Sequence, residues 1–222
     1  MNSIITLKRG LNKFDKKIDI LEDDYVTYFS KWEEFNLVPL SNSSKNIPQF
    51  INNNSITHII LSGGNNVSPK LYNCKKKIDD TFIERDTLEL ELLEIAIKLK
   101  IPFLGICKGM QLINTFFGGS IKKIEKNIHN PGKNHIIEIS KNYQKNYSKK
   151  EFIVNSYHNY AVYKKTIGRN LNIVASNNNI VEIIKHDSFP IVGVQWHPER
   201  NGNENEISEQ ICKRFIHSKN KW

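Results

Sequence analysis

One stretch constrains this chain more than any other: Phe103-Leu104-Gly105-Ile106-Cys107-Lys108-Gly109-Met110-Gln111-Leu112-Ile113. Its first residues read as a buried strand that runs into Gly-x-Cys-x-Gly, then into a helix with Leu112, Ile113, Phe116 and Phe117 on one face. A strand that turns directly into a helix strains the residue at the turn and projects its side chain outward, and glycines two residues to either side leave room for it. Such a junction needs a sheet beneath it and a helix packed back on that sheet, which makes the surroundings α/β. A helix N-terminus also favours a thiolate over a thiol. Cys107 therefore reads as a nucleophile rather than as a small buried hydrophobe.

The neighbouring pattern agrees. His58-Ile59-Ile60-Leu61 reads as another buried strand, entering the turn Ser62-Gly63-Gly64-Asn65. Tyr25, Phe29, Trp32 and Phe35 recur at helical spacing, and Leu37-Val38-Pro39-Leu40 follows as a short extended segment. Leu88, Leu92, Leu93, Ala96 and Leu99 predict a long helix over about 81–100, broken by Pro102. Ile136-Ile137-Glu138-Ile139, Phe152-Ile153-Val154, Leu171-Asn172-Ile173-Val174 and Val181-Glu182-Ile183-Ile184 are strand-like and follow one another without long helices. A return strand over 191–196 and a closing helix from near Glu206 complete the chain. The expected fold class is α/β, a parallel sheet covered by helices with a small antiparallel β annex. A chain of 222 residues suffices for one such domain and is short for two, so 1–222 is read as a single domain.

A thiolate nucleophile needs an imidazole, and the imidazole needs an orienting partner. Gly193-Val194-Gln195-Trp196-His197-Pro198-Glu199 supplies both. Pro198 biases His197 towards an extended backbone, and in an extended chain residues i and i+2 share a side, so Glu199 can reach back to the ring. The tetrahedral intermediate then needs donors for its oxyanion, and backbone amides at glycine turns provide them. The candidates are the amide of Lys108, next to the nucleophile, and that of Gly64.

Charge and cysteine usage narrow the partners. The formal net charge is +9, but the basic runs are short and scattered and no aromatic-interleaved basic strip exists, so nucleic acid is not expected as a partner. Asn-rich runs such as 52–54 and 177–179 accompany the lysines, as a compositional habit would. No apolar stretch approaches the roughly 18 residues that cross a bilayer, and the N-terminal apolar run is short for a signal peptide. The three cysteines form no C-x-x-C pair, which suits a reducing, cytoplasmic location without disulfides. Cys74 and Cys212 read as buried hydrophobes, Cys212 on a helix face with Ile207, Ile211, Phe215 and Ile216. His129 and His135 lack cysteine or acidic companions, and neither a metal nor a cofactor is expected.

Taken together, Leu61-Ser62-Gly63-Gly64, Glu84-Arg85-Asp86, the Cys107 elbow, Phe117-Gly118-Gly119-Ser120, Val154-Asn155-Ser156-Tyr157-His158 and Gln195-Trp196-His197-Pro198-Glu199 resemble the class I glutamine amidotransferase superfamily. Within it the chain is similar to the γ-glutamyl-γ-aminobutyrate hydrolase-like family, peptidase family C26. The resemblance spans about Ile59 to Glu199. It implies a flavodoxin-like fold and a catalytic triad of Cys107, His197 and Glu199. It also implies that Gln111, Ser156, Tyr157 and His158 line the glutamyl pocket. Arg85 and Asp86 match a family pair for which the sequence alone suggests no role. Where the γ-aminobutyrate hydrolase branch usually carries Arg after the nucleophile, this chain has Lys108.

On that resemblance the leading expectation is a hydrolase that releases glutamate from a small-molecule γ-glutamyl conjugate. The conjugates it brings in are γ-glutamyl-polyamine breakdown products such as γ-glutamyl-γ-aminobutyrate, and a γ-glutamyl nucleotide amidate of capsule biosynthesis such as γ-glutamyl-CDP-amidate. The competing expectation is a glutaminase subunit that passes ammonia to a synthetase partner. Association as a homodimer is left open.

Overall fold

The computed structural model describes residues 1–125, 132–200 and 206–217. The first half contains β1 (Asn2–Thr6), a hairpin of β2 (Lys8–Leu11) and β3 (Lys17–Ile20), α1 (Asp23–Phe29), β4 (Asn36–Leu40) and α2 (Ile47–Asn53). It continues through β5 (Ile56–Leu61), α3 (Ile83–Leu99), β6 (Phe103–Ile106) and α4 (Lys108–Phe116). The second half holds β7 (Ile121–Lys123), β8 (His135–Ile139), β9 (Glu151–Val154), β10 (Tyr160–Val162), β11 (Leu171–Asn177), β12 (Ile180–His186), β13 (Ile191–Val194) and α5 (Glu206–His217).

Nine of these strands form one sheet in the order β4-β1-β5-β6-β13-β12-β11-β8-β9. The strands from β4 to β13 pair in parallel, and those from β13 to β9 pair antiparallel. The fold is thus α/β with the expected antiparallel region, whose strands extend the parallel sheet from the far side of β13. Two further two-stranded antiparallel sheets, β10 with β7 and β2 with β3, lie outside it.

Alternation of side chains explains why the central strands are apolar throughout. Ile60, Leu104, Ile106, Val192 and Val194 pack on one face, with α1 and α5 side chains such as Phe29 and Phe215. Ile59, Leu61, Phe103 and Ile191 pack on the other, with Leu88, Leu92 and Leu93 of α3 and Met110, Leu112 and Ile113 of α4. Both faces are covered, so every residue of β6 and β13 is buried.

Several boundaries differ from the sequence expectation. α1 stops at Phe29, and Trp32 and Phe35 follow in turns, although both still pack against the first core face. α3 runs Ile83–Leu99 and ends at Lys100 in a left-handed conformation, just ahead of Pro102. Strand β1 and the β2–β3 hairpin carry too few apolar residues in register to have been read as strands. Cys212 is fully buried as expected, whereas Cys74 is only partly buried. Among the described residues no helix is long and apolar enough to cross a membrane.

Candidate active site

Three neighbouring parallel strands, β5, β6 and β13, deliver the candidate residues from their carboxyl ends, where ligands bind in open α/β sheets. The ladder register is level across them: Leu61 pairs with Gly105 and Gly105 with Gly193. The loop Ser62-Gly63-Gly64, the residue Cys107 and the segment Gln195-Trp196-His197 therefore emerge side by side.

Cys107 sits between β6 and α4 with φ 52° and ψ −101°, a conformation a residue with a Cβ rarely adopts. Its amide donates to Val194 O at 2.8 Å, which ties the turn to β13. The flanking glycines permit close packing: a Cβ on Gly105 would lie 2.6 Å from the Gly109 carbonyl carbon, and one on Gly109 would lie 2.6 Å from Leu61 O. Any larger residue at either position would lift α4 off the sheet.

His197 is buried, with Nδ1 2.5 Å from Glu199 Oε1, the i to i+2 reach anticipated from the Pro198 geometry. The Cys107 side chain lies near enough to influence the charge of its ring. Burial opposes a charged imidazole, but Glu199 and Cys107 outweigh it and carry the His197 pKa up to about 10. The ring lies so close to the β5 loop that a Cβ at Gly63 would stand 2.5 Å from His197 Cε1. A sulfur nucleophile, a protonated imidazole and an orienting carboxylate are the groups that acyl transfer requires.

The amides expected to receive an oxyanion lie in the loop after β5 and at the start of α4. Lys108 is the first residue of α4, and the first N–H groups of a helix have no intrahelical acceptor. The Gly63 carbonyl accepts from Arg85 Nη2 at 2.9 Å, and in a trans peptide the Gly64 N–H points opposite to that carbonyl. The Gly63 amide itself is taken by the Tyr25 hydroxyl at 2.8 Å. Burial, and then the nearby Glu199 charge, push the Tyr25 phenol well above its usual range, so it stays protonated.

The residues expected to line the glutamyl pocket are held as follows. Gln111 donates to Tyr160 O at 2.7 Å and to Gln195 Oε1 at 3.3 Å. Tyr157 is exposed and stands edge-on to His197, with ring centroids 5.8 Å apart. His158 Nδ1 lies 3.0 Å from Tyr160 O, and Ser156 is fully buried one residue after Asn155. His135 faces the buried Glu182 at 3.1 Å, while His129 lies outside the described residues.

Three features escaped the sequence reading. Gln195 places Nε2 3.7 Å from Cys107 Sγ; it lies two residues before His197, so the same alternation that located Glu199 could have found it. Asn155, given no role of its own within its family-like segment, binds the backbone of His197. Arg85, Asp86, Glu89 and Lys108 form a buried ionic cluster beneath the site. The Lys108 side chain is thus spent inside the protein and is not presented to a substrate.

The chain is 33% identical over 208 residues to a gamma-glutamyl-CDP-amidate hydrolase of Campylobacter jejuni, with 92% of each chain covered. It is 34% identical over 166 residues to a glutamine-hydrolyzing GMP synthase subunit of Methanococcus aeolicus, covering 72% of this chain and 75% of that one. Among solved structures, a putative GMP synthase subunit from Thermoplasma acidophilum superposes with a TM-score of 0.69 at 18% identity, covering 97% of this chain and 92% of that chain. A glutamine amidotransferase from Thermotoga maritima superposes with a TM-score of 0.59 at 17% identity, covering 89% and 76%. These structures share its fold, and with the peptidase C26 profile matching residues 11–199, the chain belongs to the peptidase C26 family.

Proposed function

We propose that this protein is a cysteine-dependent hydrolase that cleaves the γ-glutamyl amide bond of a small γ-glutamyl conjugate and releases glutamate. The observation that carries the reading is the buried His197 ring, held by Glu199 at 2.5 Å beside the strained Cys107 elbow of a C26-family chain. In this mechanism Cys107 sulfur attacks the γ-carbonyl carbon, and the resulting oxyanion is received by the Gly64 and Lys108 amides. His197 gives its proton to the departing amine as the C–N bond breaks, leaving a glutamyl thioester. Water then adds to the thioester, His197 takes the proton from that water, and the S–C bond breaks to free glutamate and the thiolate. Gln111, Ser156, Tyr157 and His158 hold the glutamyl group in this reading.

Similarity to the Campylobacter jejuni hydrolase supports a γ-glutamyl nucleotide amidate as the conjugate. Similarity to a glutamine-hydrolyzing GMP synthase subunit supports a second reading, a glutaminase that supplies ammonia to a synthetase partner. Glutamate release by the purified protein alone separates them. The panel is glutamine, γ-glutamyl-γ-aminobutyrate and γ-glutamyl-CDP-amidate, with Cys107→Ala as control. Fast, Cys107-dependent release from one conjugate but not from glutamine is expected. Slow release from glutamine alone would replace the first reading with the second.

A further inference from the structure

Four ionisable side chains are buried together where no solvent reaches: Arg85, Asp86, Glu89 and Lys108. Burying two acids and two bases is costly unless every charge is paired and hydrogen-bonded, and these are. Arg85 Nε lies 2.8 Å from Glu89 Oε1, and Lys108 Nζ lies 2.7 Å from Asp86 Oδ1 and also contacts Glu89. Asp86 Oδ2 accepts the Ser68 amide at 2.8 Å. Burial alone would raise the Glu89 pKa, but Arg85 and Lys108 overcome it and hold the carboxyl below its usual range.

Besides the Asp86 bond to Ser68, the cluster's outward bonds reach the two segments that carry the candidate oxyanion donors, directly or through Thr6. From α3, Arg85 donates to Ser62 O at 2.7 Å, Gly63 O at 2.9 Å and Asn65 Oδ1 at 3.0 Å. Thr6 Oγ1 donates to Glu89 Oε1 at 2.8 Å and accepts the Ser62 amide at 3.1 Å. The loop after β5 is therefore held at Ser62 N, Ser62 O and Gly63 O. On the other side, Lys108 supplies its own backbone amide as the second donor while its ammonium is locked to Asp86 and Glu89.

We infer that Arg85, Glu89 and Lys108 are positioning residues whose ionic cluster sets the distance and direction between the Gly64 and Lys108 amides, so that the oxyanion hole is formed before substrate arrives. Glu89 is the hinge of this arrangement, since among the described residues it alone makes side-chain ion pairs both to the residue that grips the β5 loop and to the residue that carries the second donor. The cluster's bonds reach the peptide that carries the Gly64 N–H, through Gly63 O, and the side chain of the residue that carries the second donor.

The role rests on reading Cys107 as the nucleophile, and the test separates the two. Glu89→Gln keeps shape and removes the charge that joins Arg85 to Lys108. Its kcat is expected to fall about 10- to 100-fold with KM little changed, the scale of a sub-ångström to ångström misplacement of catalytic groups. Affinity for glutamate γ-semialdehyde, whose thiohemiacetal oxygen occupies the hole, falls by the same factor. Alkylation of Cys107 by iodoacetamide, a displacement at saturated carbon that needs no oxyanion donor, keeps its wild-type rate. Thr6→Val, a milder cut of the same bridge to Ser62, gives the same pattern at smaller amplitude and serves if Glu89→Gln does not fold. Unchanged kcat and semialdehyde affinity, or alkylation falling in step with kcat, overturns the inference. Cys107→Ala that still turns over conjugate overturns the nucleophile assignment and this role with it; inactive Cys107→Ala beside a fully active Glu89→Gln overturns this role alone.

Discussion

Asn155 brackets the backbone of His197: its Nδ2 donates to His197 O at 2.7 Å while its Oδ1 accepts the His197 amide at 2.9 Å. One carboxamide thus satisfies both polar groups of a residue that leaves a central strand for a buried site. Asn155→Ala leaves the His197 amide unpaired and its carbonyl with only the long bond from the Arg200 amide at 3.3 Å. Urea unfolding should show a loss of about 1–3 kcal/mol, and turnover should fall by about tenfold or more as the ring loses its seat.

The pH dependence follows from the imidazole. His197 is raised from 6.5 to about 10, with Glu199 and Cys107 outweighing burial. A raised pKa means that the folded state holds the proton more tightly than the unfolded one. The stabilisation is therefore complete below about pH 6.5 and is lost as pH climbs through about 10. Unfolding free energy measured across that window should decline, and Glu199→Gln, which removes the charged partner, should flatten the decline. Turnover should fail on the same alkaline side, because the leaving amine then finds no proton.

A third prediction concerns the leaving group. Tyr160, which accepts from Gln111, opens β10, and β10 pairs with β7. Beside this pair Lys122, Lys123, Lys164 and Lys165 line a cavity of about 310 Å³. If the conjugate carries phosphates, the double variant Lys122→Gln/Lys164→Gln should raise KM for γ-glutamyl-CDP-amidate about tenfold, roughly 1.4 kcal/mol, and leave KM for γ-glutamyl-γ-aminobutyrate alone. Equal effects on both substrates would remove these lysines from substrate recognition.

The elements that proved legible were those whose signal is local. The Cys107 elbow, the apolar strands β5, β6 and β13 and the long helix α3 each declare themselves within a dozen residues, through runs, periodicity or glycine placement. Glu199 was found because it lies two residues from His197. The ionic cluster was not, because its members meet only after folding: Arg85 grips Ser62 and Gly63 from 23 and 22 positions away. Read in sequence, Arg85, Asp86 and Glu89 are a charged helix start indistinguishable from a solvated face. Strand β1 hid for a different reason: only Ile4 and Ile5 are aliphatic, and the buried Ser3 and Thr6 beside them look like surface residues until their partners are known.

The backbone of Cys107, with φ 52°, sets fitness for chemistry against fitness for folding at one position. Glycine would adopt that geometry without penalty, and relief of such strain is worth about 1–3 kcal/mol. Cys107→Gly should therefore melt at a higher temperature than the wild type and turn over nothing. A variant library screened for heat resistance alone would enrich dead proteins there, so thermal selection on this scaffold must be coupled to an activity readout.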